Sequence, residues 1–217
     1  GDVRAVIRVN GHMVGDKESH MTLPFTLRFY LYYGSEQIKI QHSFVYDGNQ
    51  NRDFIKSLGL QFDVPFRETV YNRHIAFSFD KDSVWAEPVQ PLDGRRELSR
   101  EHNYLSDQMN GLRIPEYATF DAEQKQLLDD WAAWDGFRLS QLNDGSFTIR
   151  KRATGKSPWI GTFTGTKSYG LAYVGDVSGG LSATLKDFWQ SYPSTLQIDS
   201  ARTNVARMTV WLWSPEA

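Results

Sequence analysis

The sequence predicts a mostly β protein, a large antiparallel β-sandwich or its larger supersandwich variant, with one short helix and a long insertion loop. Three observations carry that expectation. Short segments of alternating apolar and polar residues recur along nearly the whole chain. Turn residues separate them at close spacing, most clearly Asn143-Asp144-Gly145, whose residue types tolerate positive φ. Only one stretch, after Asp121, carries apolar residues at helical spacing.

Taken in order, Val3–Val14 alternates, with Val3, Ala5, Ile7 and Val9 opposite Arg4 and Arg8. Thr22–Tyr33 sets Phe25, Leu27, Phe29 and Leu31 against Thr26, Arg28 and Tyr30, and Gly34-Ser35 turns the chain into Gln37–Tyr46. Further strands are expected at Ser57–Val64, Val70–Phe79, Phe137–Leu142, Ser146–Lys151, Trp159–Phe163, Gly170–Val174, Leu181–Leu185, Thr195–Ile198 and Arg207–Trp213. For the helix, Asp121 is the cap and Gln124 its capping-box partner. Leu127, Leu128, Trp131 and Ala132 form the apolar stripe, and Gly136 fits the stop. The polar, proline-containing stretch 86–120 reads as an insertion lying over the sandwich, and loops of that length are often functional.

The 217 residues, 40% hydrophobic and 14% aromatic, suffice for one large β domain. A formal charge of −2 argues against nucleic acid or an anionic membrane surface as the main partner. No apolar run approaches the roughly 18 residues of a membrane span. The absence of cysteine excludes disulfides, thiolate metal sites and cysteine nucleophiles. Gly1 in place of Met, with strand-like sequence close to both ends, leads to the expectation of a single domain, 1–217, cut from a longer multidomain polypeptide. A mature protein trimmed at its ends is the competing expectation.

Several residue groups could carry chemistry. Asp47, Asn49, Asn51 and Asp53 place oxygens at alternate positions, as a Ca²⁺ loop does, but Arg52 and Leu58 stand where an EF-hand has Gly and Glu. A polar turn with no metal or other cofactor is the competing expectation. Tyr71, Arg73 and His74 lie in an expected strand. Tyr and His can act as general bases and Arg can hold a carboxylate, against the alternative of a solvated strand face. Arg150 and Arg152 share a face and could grip an anionic sugar, or could protect a sheet edge, while Lys151 points the opposite way. Trp131 and Trp134 are expected to pack the helix down, and Trp211 and Trp213 to lie in the core. Trp85, Trp159 and Trp189 sit near turns and, with Tyr192, are candidate platforms for the apolar face of a pyranose. The stretch from Tyr169 to Pro193 reads as strand, Gly-rich turn, strand and aromatic corner. No G-x-S-x-G elbow, P-loop or H-E-x-x-H motif occurs.

The segments FIKSLGLQFDVP, FTIRKRATG, GLAYVGDVSGGLSATLKDFWQSYPSTLQI and WLWSPEA resemble the central β-sandwich domain of exo-rhamnogalacturonan lyase-like (YetA-like) proteins. The likeness runs over most of the chain, strongest from Phe137 onward and weakest between Glu87 and Tyr117. It implies a three-part parent, with a small β domain before this sandwich and an α/α toroid after it, exported to the periplasm or cell exterior. It also implies a rhamnogalacturonan-like, pectic substrate and β-elimination beside a galacturonate carboxylate, which needs a base and a group that stabilises the developing charge. None of the family's catalytic residues is carried over to positions here. Three readings follow. The first is a sandwich domain that supports the parent's cleft and is inactive alone; the second is a carbohydrate-binding module for pectic oligosaccharides. The third is a lyase in its own right using Tyr71, His74 or Lys151, and it ranks last because no local constellation pairs a base with an orienting group.

Overall fold

The computed structural model of the chain describes residues 2–14, 22–79, 83–93, 98–99 and 101–216. Residues 94–97 and 100 of the expected insertion, and Ala217, lie outside the described residues. Among the described residues are thirteen strands in three antiparallel sheets, so the protein is mostly β as the sequence predicts. The chain divides into two compact units, Gly1–Ile55 and Lys56–Ala217.

The first unit is a sheet of β1 (Arg4–Gly11), β2 (Phe25–Tyr32) and β3 (Ile38–Phe44), in that order. Its register aligns Ile7 with Phe29 and Ile40, and Arg8 with Arg28 and Gln41. Strand alternation therefore gives one apolar and one polar face. Gly34, at φ +69°, makes the turn between β2 and β3.

The second unit holds β4 (Leu58–Pro65), β5 (Arg73–Ser78), β6 (Val84–Pro88), α1 (Tyr104–Met109), α2 (Ala122–Asp130), β7 (Gly136–Gln141), β8 (Phe147–Arg152), β9 (Ile160–Gly165), β10 (Leu171–Asp176), β11 (Gly179–Thr184), β12 (Ser194–Asp199) and β13 (Val205–Trp213). A four-stranded sheet runs β11-β10-β5-β6 and a six-stranded sheet β4-β13-β12-β7-β8-β9. Between them lies the main core. Ile75, Phe77, Ala172 and Val174 come from the smaller sheet, and Phe137, Leu139, Ile149, Leu196, Ile198 and Met208 from the larger. Alternating side chains of two facing sheets fill one layer, which is the packing of a β-sandwich.

Several local expectations need correction. Val70–Phe79 is not one strand: Val70–Asn72 is a 3-10 turn, and β5 starts at Arg73. Strand β6 was not foreseen. Its Glu87 and Pro88 break the apolar pattern, and proline is tolerated there because β6 is the sheet's edge. The hairpin at Asn143-Asp144-Gly145 forms without positive φ; the Asn143 side-chain oxygen accepts from the Gly145 and Ser146 amides at 2.9 Å each. Trp211 is not core. It lies half-buried on the face of β13 opposite Met208 and Val210, and Trp213, beyond a register shift in the strand, is exposed. Trp85, by contrast, is packed into the core, its ring 5.9 Å from that of Phe77.

Helix α2 carries the expected capping box: Asp121 accepts from the Gln124 amide at 2.8 Å, and Gln124 accepts from the Asp121 amide at 3.0 Å. It stops at Asp130, well before Gly136. The Trp134 amide donates to Val89, which draws the chain into extended structure, and Gly136 opens β7. There its missing side chain matters, because a Cβ would stand 2.7 Å from Arg152 Nε.

The segment between β6 and β7 builds a second, smaller core from Leu92, Leu98, Ile114, Phe120, Leu127 and Leu128 on Tyr71. Buried amides fix it to the sandwich. Gln108, 1% exposed, donates to the carbonyls of Tyr71 (2.6 Å) and Gln90 (2.9 Å) and accepts from the Leu92 amide (2.8 Å). Asn72 exchanges two hydrogen bonds with the backbone of Ile114, and Gln90 donates to the carbonyls of Leu128 and Trp131. Helix α1, six residues long and capped by Asn103, presents Gln108. Such a short element leaves no periodic trace in the sequence.

Asp176 closes β10 in the same manner. One carboxylate oxygen accepts from the amides of Arg67 and Glu68, and the other from the amide and hydroxyl of Ser178. Burial works against its charge, but the Ser178 hydroxyl and the three amides outweigh burial and hold its carboxyl below the ordinary value of 3.8.

Gln108→Leu strands two carbonyls and an amide in an apolar setting. It should cost about 2–4 kcal/mol and speed amide exchange in residues 101–131 before the main core, as read by hydrogen–deuterium exchange. Asp176→Asn should cost about 1.5–3 kcal/mol at neutral pH. A carboxyl whose folded pKa lies below its unfolded one stabilises the fold above the unfolded value. That contribution fades as pH falls through the folded value, so the variant's stability profile should be flatter below pH 3.8 in urea melts.

Candidate functional site

The six-stranded sheet uses one face for the core, and alternation assigns the intervening side chains to the other. Phe137 and Leu139 point inward from β7, Ile149 from β8, Leu196 and Ile198 from β12, and Met208 from β13. The outward set is Arg138 and Ser140, Arg150 and Arg152, Gln197 and Asp199, and Thr209 and Trp211. Register aligns Arg138 between Gln197 and Arg150, and Ser140 beside Thr195.

Trp159, in the turn before β9, organises this face. The Arg138 guanidinium lies 4.0 Å and that of Arg152 4.3 Å from its ring centroid, so the indole is engaged by two cations. The stack exacts a cost: Arg138 Nε and Arg152 Nε are buried without a hydrogen-bond partner among the described residues. Glu216 approaches Arg138 at 2.6 Å and Arg150 at 3.7 Å, and its second oxygen accepts from Ser140 Oγ at 2.8 Å. Asp199 pairs with Arg152 and accepts from Gln197, which in turn accepts from the Trp211 indole N–H. Burial lowers the proton affinity of Arg138, and Glu216 opposes that shift. Among the described residues three guanidiniums thus face two carboxylates, and Arg150, its side chain 36% exposed, is the most open of them. A surface of this kind can bind an anion through fixed, forked donors.

Of the sequence candidates, Arg150, Arg152 and Trp159 converge here. Arg138 and Glu216 were missed. The alternation of β7 carried the signal for Arg138, whereas Glu216 meets its partners only through the fold. Trp189 is half-buried, with Lys167 Nζ 4.0 Å from its ring, and Tyr192 is 47% exposed in the corner between β11 and β12.

Tyr71, Arg73, His74 and Lys151 are occupied structurally, and the first three do not form a solvated strand face. Tyr71 donates to the Pro115 carbonyl at 3.0 Å. Arg73, 4% exposed, donates to the carbonyls of Glu68, Ala201 and Thr203. His74 Nε2 lies 3.0 Å from the Gln108 carbonyl, which requires that nitrogen to carry the proton. Burial pushes the His74 pKa below its usual value, against the opposing pull of that carbonyl and of Asp176. Lys151 pairs with Glu87 and stacks 4.0 Å from the Trp134 ring centroid.

In the first unit, Asp47 accepts from the Thr22 hydroxyl and from the backbone amides of Leu23 and Thr22, which hold its carboxyl below its usual range. Asp53 accepts from the Asn49 amide, and the Asn49 side chain from the Asn51 amide. Among the described residues no group of three or more His, Cys, Asp or Glu side chains could hold a metal ion.

Residues 1–217 match the family model described as the central beta sandwich domain of PcRGLX-like proteins. The chain is 32% identical over 219 residues to a Bacillus subtilis (strain 168) protein described as "Uncharacterized protein YetA". The match covers 100% of this chain and 25% of that relative, so the chain spans about a quarter of the relative's length.

Trp159→Leu keeps apolar bulk at the centre of the arginine face and removes the π surface. It should lower stability by about 1–2 kcal/mol, measured as a shift of the urea midpoint; an unchanged midpoint would show that the stack contributes nothing.

Proposed function

This chain belongs to the family of PcRGLX-like, rhamnogalacturonan lyase-like central β-sandwich domains, and on that premise we propose that it serves as the supporting sandwich of an exported polysaccharide-degrading protein, inactive by itself. In the parent it packs against flanking domains, including an α/α toroid, and turns its arginine face toward a pectic, uronate-bearing chain. The observation that carries this reading lies on the outward side of the larger sheet, where Arg138 and Arg152 stack on Trp159 and Arg150 is aligned beside Arg138. Galacturonate carries one carboxylate per residue, and planar guanidiniums are the side chains best suited to hold it. The scaffold role draws support from the fate of the base candidates. Elimination needs a base that reaches the substrate proton, and Tyr71, His74 and Lys151 are each engaged by a carbonyl or an ion pair.

One observation favours a second reading, a carbohydrate-binding module. Tyr192 presents an exposed ring near the half-buried Trp189 in sequence, an arrangement open to pyranose stacking. That reading expects saturable binding of pectic oligosaccharides by calorimetry, weakened by about 1–3 kcal/mol in Trp189→Ala; no measurable binding removes it.

The 217-residue chain mixed with rhamnogalacturonan should release no unsaturated product, followed as ultraviolet absorbance. Steady accumulation of that product would overturn the scaffold reading.

A further inference from the structure

On the arginine face, Glu216 occupies a position that a free carboxylate could take. Its oxygens meet Arg138 at 2.6 Å, Ser140 Oγ at 2.8 Å and Arg150 at 3.7 Å. The donors behind it also have partners other than Glu216. Arg138, with 10% of its side chain exposed, is held by Trp159. Ser140 Oγ accepts from Thr195 Oγ1 at 3.1 Å, and Thr195 Oγ1 is 2.9 Å from Ser214 Oγ. Arg138, Ser140 and Thr195 belong to strands, Trp159 to the turn before β9, and Ser214 is the residue that follows β13. Glu216 lies beyond β13, in a short turn fixed by its own amide bond to Ser214 Oγ at 3.3 Å. Arg138 and Ser140 are thus held by strand neighbours and by the Trp159 stack, while their occupant sits in a short turn outside the sheet.

We propose that Arg138, Arg150 and Ser140 form a carboxylate-binding site that Glu216 fills as a tethered stand-in, and that an external carboxylate binds there by displacing it. The inference rests on the sugar-facing role of this surface given above, but it concerns the receptor and its exchange. Two guanidiniums and a hydroxyl offer fixed donors to two oxygens, the pattern that recognises a carboxylate over a neutral group. The third guanidinium, Arg152, is already matched by Asp199. Removing Glu216 thus leaves Arg138 and Arg150 without a paired carboxylate among the described residues, in a setting that is partly desolvated, a costly state that an incoming anion relieves.

The test titrates the chain with sodium galacturonate, and with galactose as its neutral counterpart, at constant ionic strength. Calorimetry gives affinity, and the Trp159 indole N–H resonance reports the location. A short tether supplies its carboxylate at millimolar effective concentration, so Glu216→Gln should bind galacturonate about tenfold more tightly than the unaltered chain. The Trp159 resonance should move, and galactose should have no effect. Adding Arg150→Gln to Glu216→Gln should abolish the gain. Should Glu216→Gln not fold, Glu216→Asp withdraws the carboxylate from Ser140 and should shift affinity in the same direction. Equal affinity in the variant and the unaltered chain, or an equal gain for galactose, overturns the site. Oligosaccharide binding that is indifferent to Glu216 would remove the receptor and leave the sugar-facing surface intact. A galacturonate gain without any binding of rhamnogalacturonan fragments would keep the receptor and remove that surface.

Discussion

Closure of the sandwich depends on Arg73. A guanidinium buried in a protein interior must have its donors satisfied, or the fold bears the full cost of desolvating it. Arg73 begins β5 in the smaller sheet, yet its partners include the carbonyls of Ala201 (3.0 Å) and Thr203 (2.6 Å), in the turn that joins two strands of the larger one. A third bond to Glu68 and a stack on Phe66 at 4.4 Å complete its shell. Elsewhere between the sheets, Glu87 of β6 pairs with Lys151 of β8. The apolar core makes the two sheets associate, and these polar ties specify which residues lie opposite which.

The same constraint separates structural charge from available charge. Within the sandwich and under its insertion, every ionisable side chain that resembled a reactive group has been given a fixed partner, and the partner is usually backbone. On the outward face of the larger sheet the accounting differs. Among the described residues three guanidiniums meet two carboxylates, two Nε atoms are left without acceptors, and Arg150 keeps part of its side chain in solvent. An aromatic ring shared by two cations orders them without neutralising them. Order without full neutralisation is what an anion-binding surface requires.

Much of the fold was legible in the sequence because it is written in local signals. Period-two alternation marked twelve of the thirteen strands to within a few residues, and the capping box marked α2. The exceptions share a cause. Strand β6 and helix α1 are held by distant groups, and the glutamines and asparagine that hold the insertion look like ordinary polar residues until their carbonyl partners are brought to them. The site divides similarly. Arg150 and Arg152 were visible as neighbours on one strand face, and alternation in β7 would have added Arg138. Glu216 and the double stack on Trp159 exist only in the folded chain. For Tyr71, Arg73 and His74 chemical type was visible in the sequence, and burial was not.

The proposed function requires ligand to meet the outward arginine face of the larger sheet, while the charges inside the sandwich are architecture. The most direct measurement is a crystal structure of the chain soaked with a rhamnogalacturonan oligosaccharide. The account predicts sugar density against Arg150, with a carboxylate in reach of Arg138. Density at His74 and Tyr71, with the arginine face bare, would contradict it.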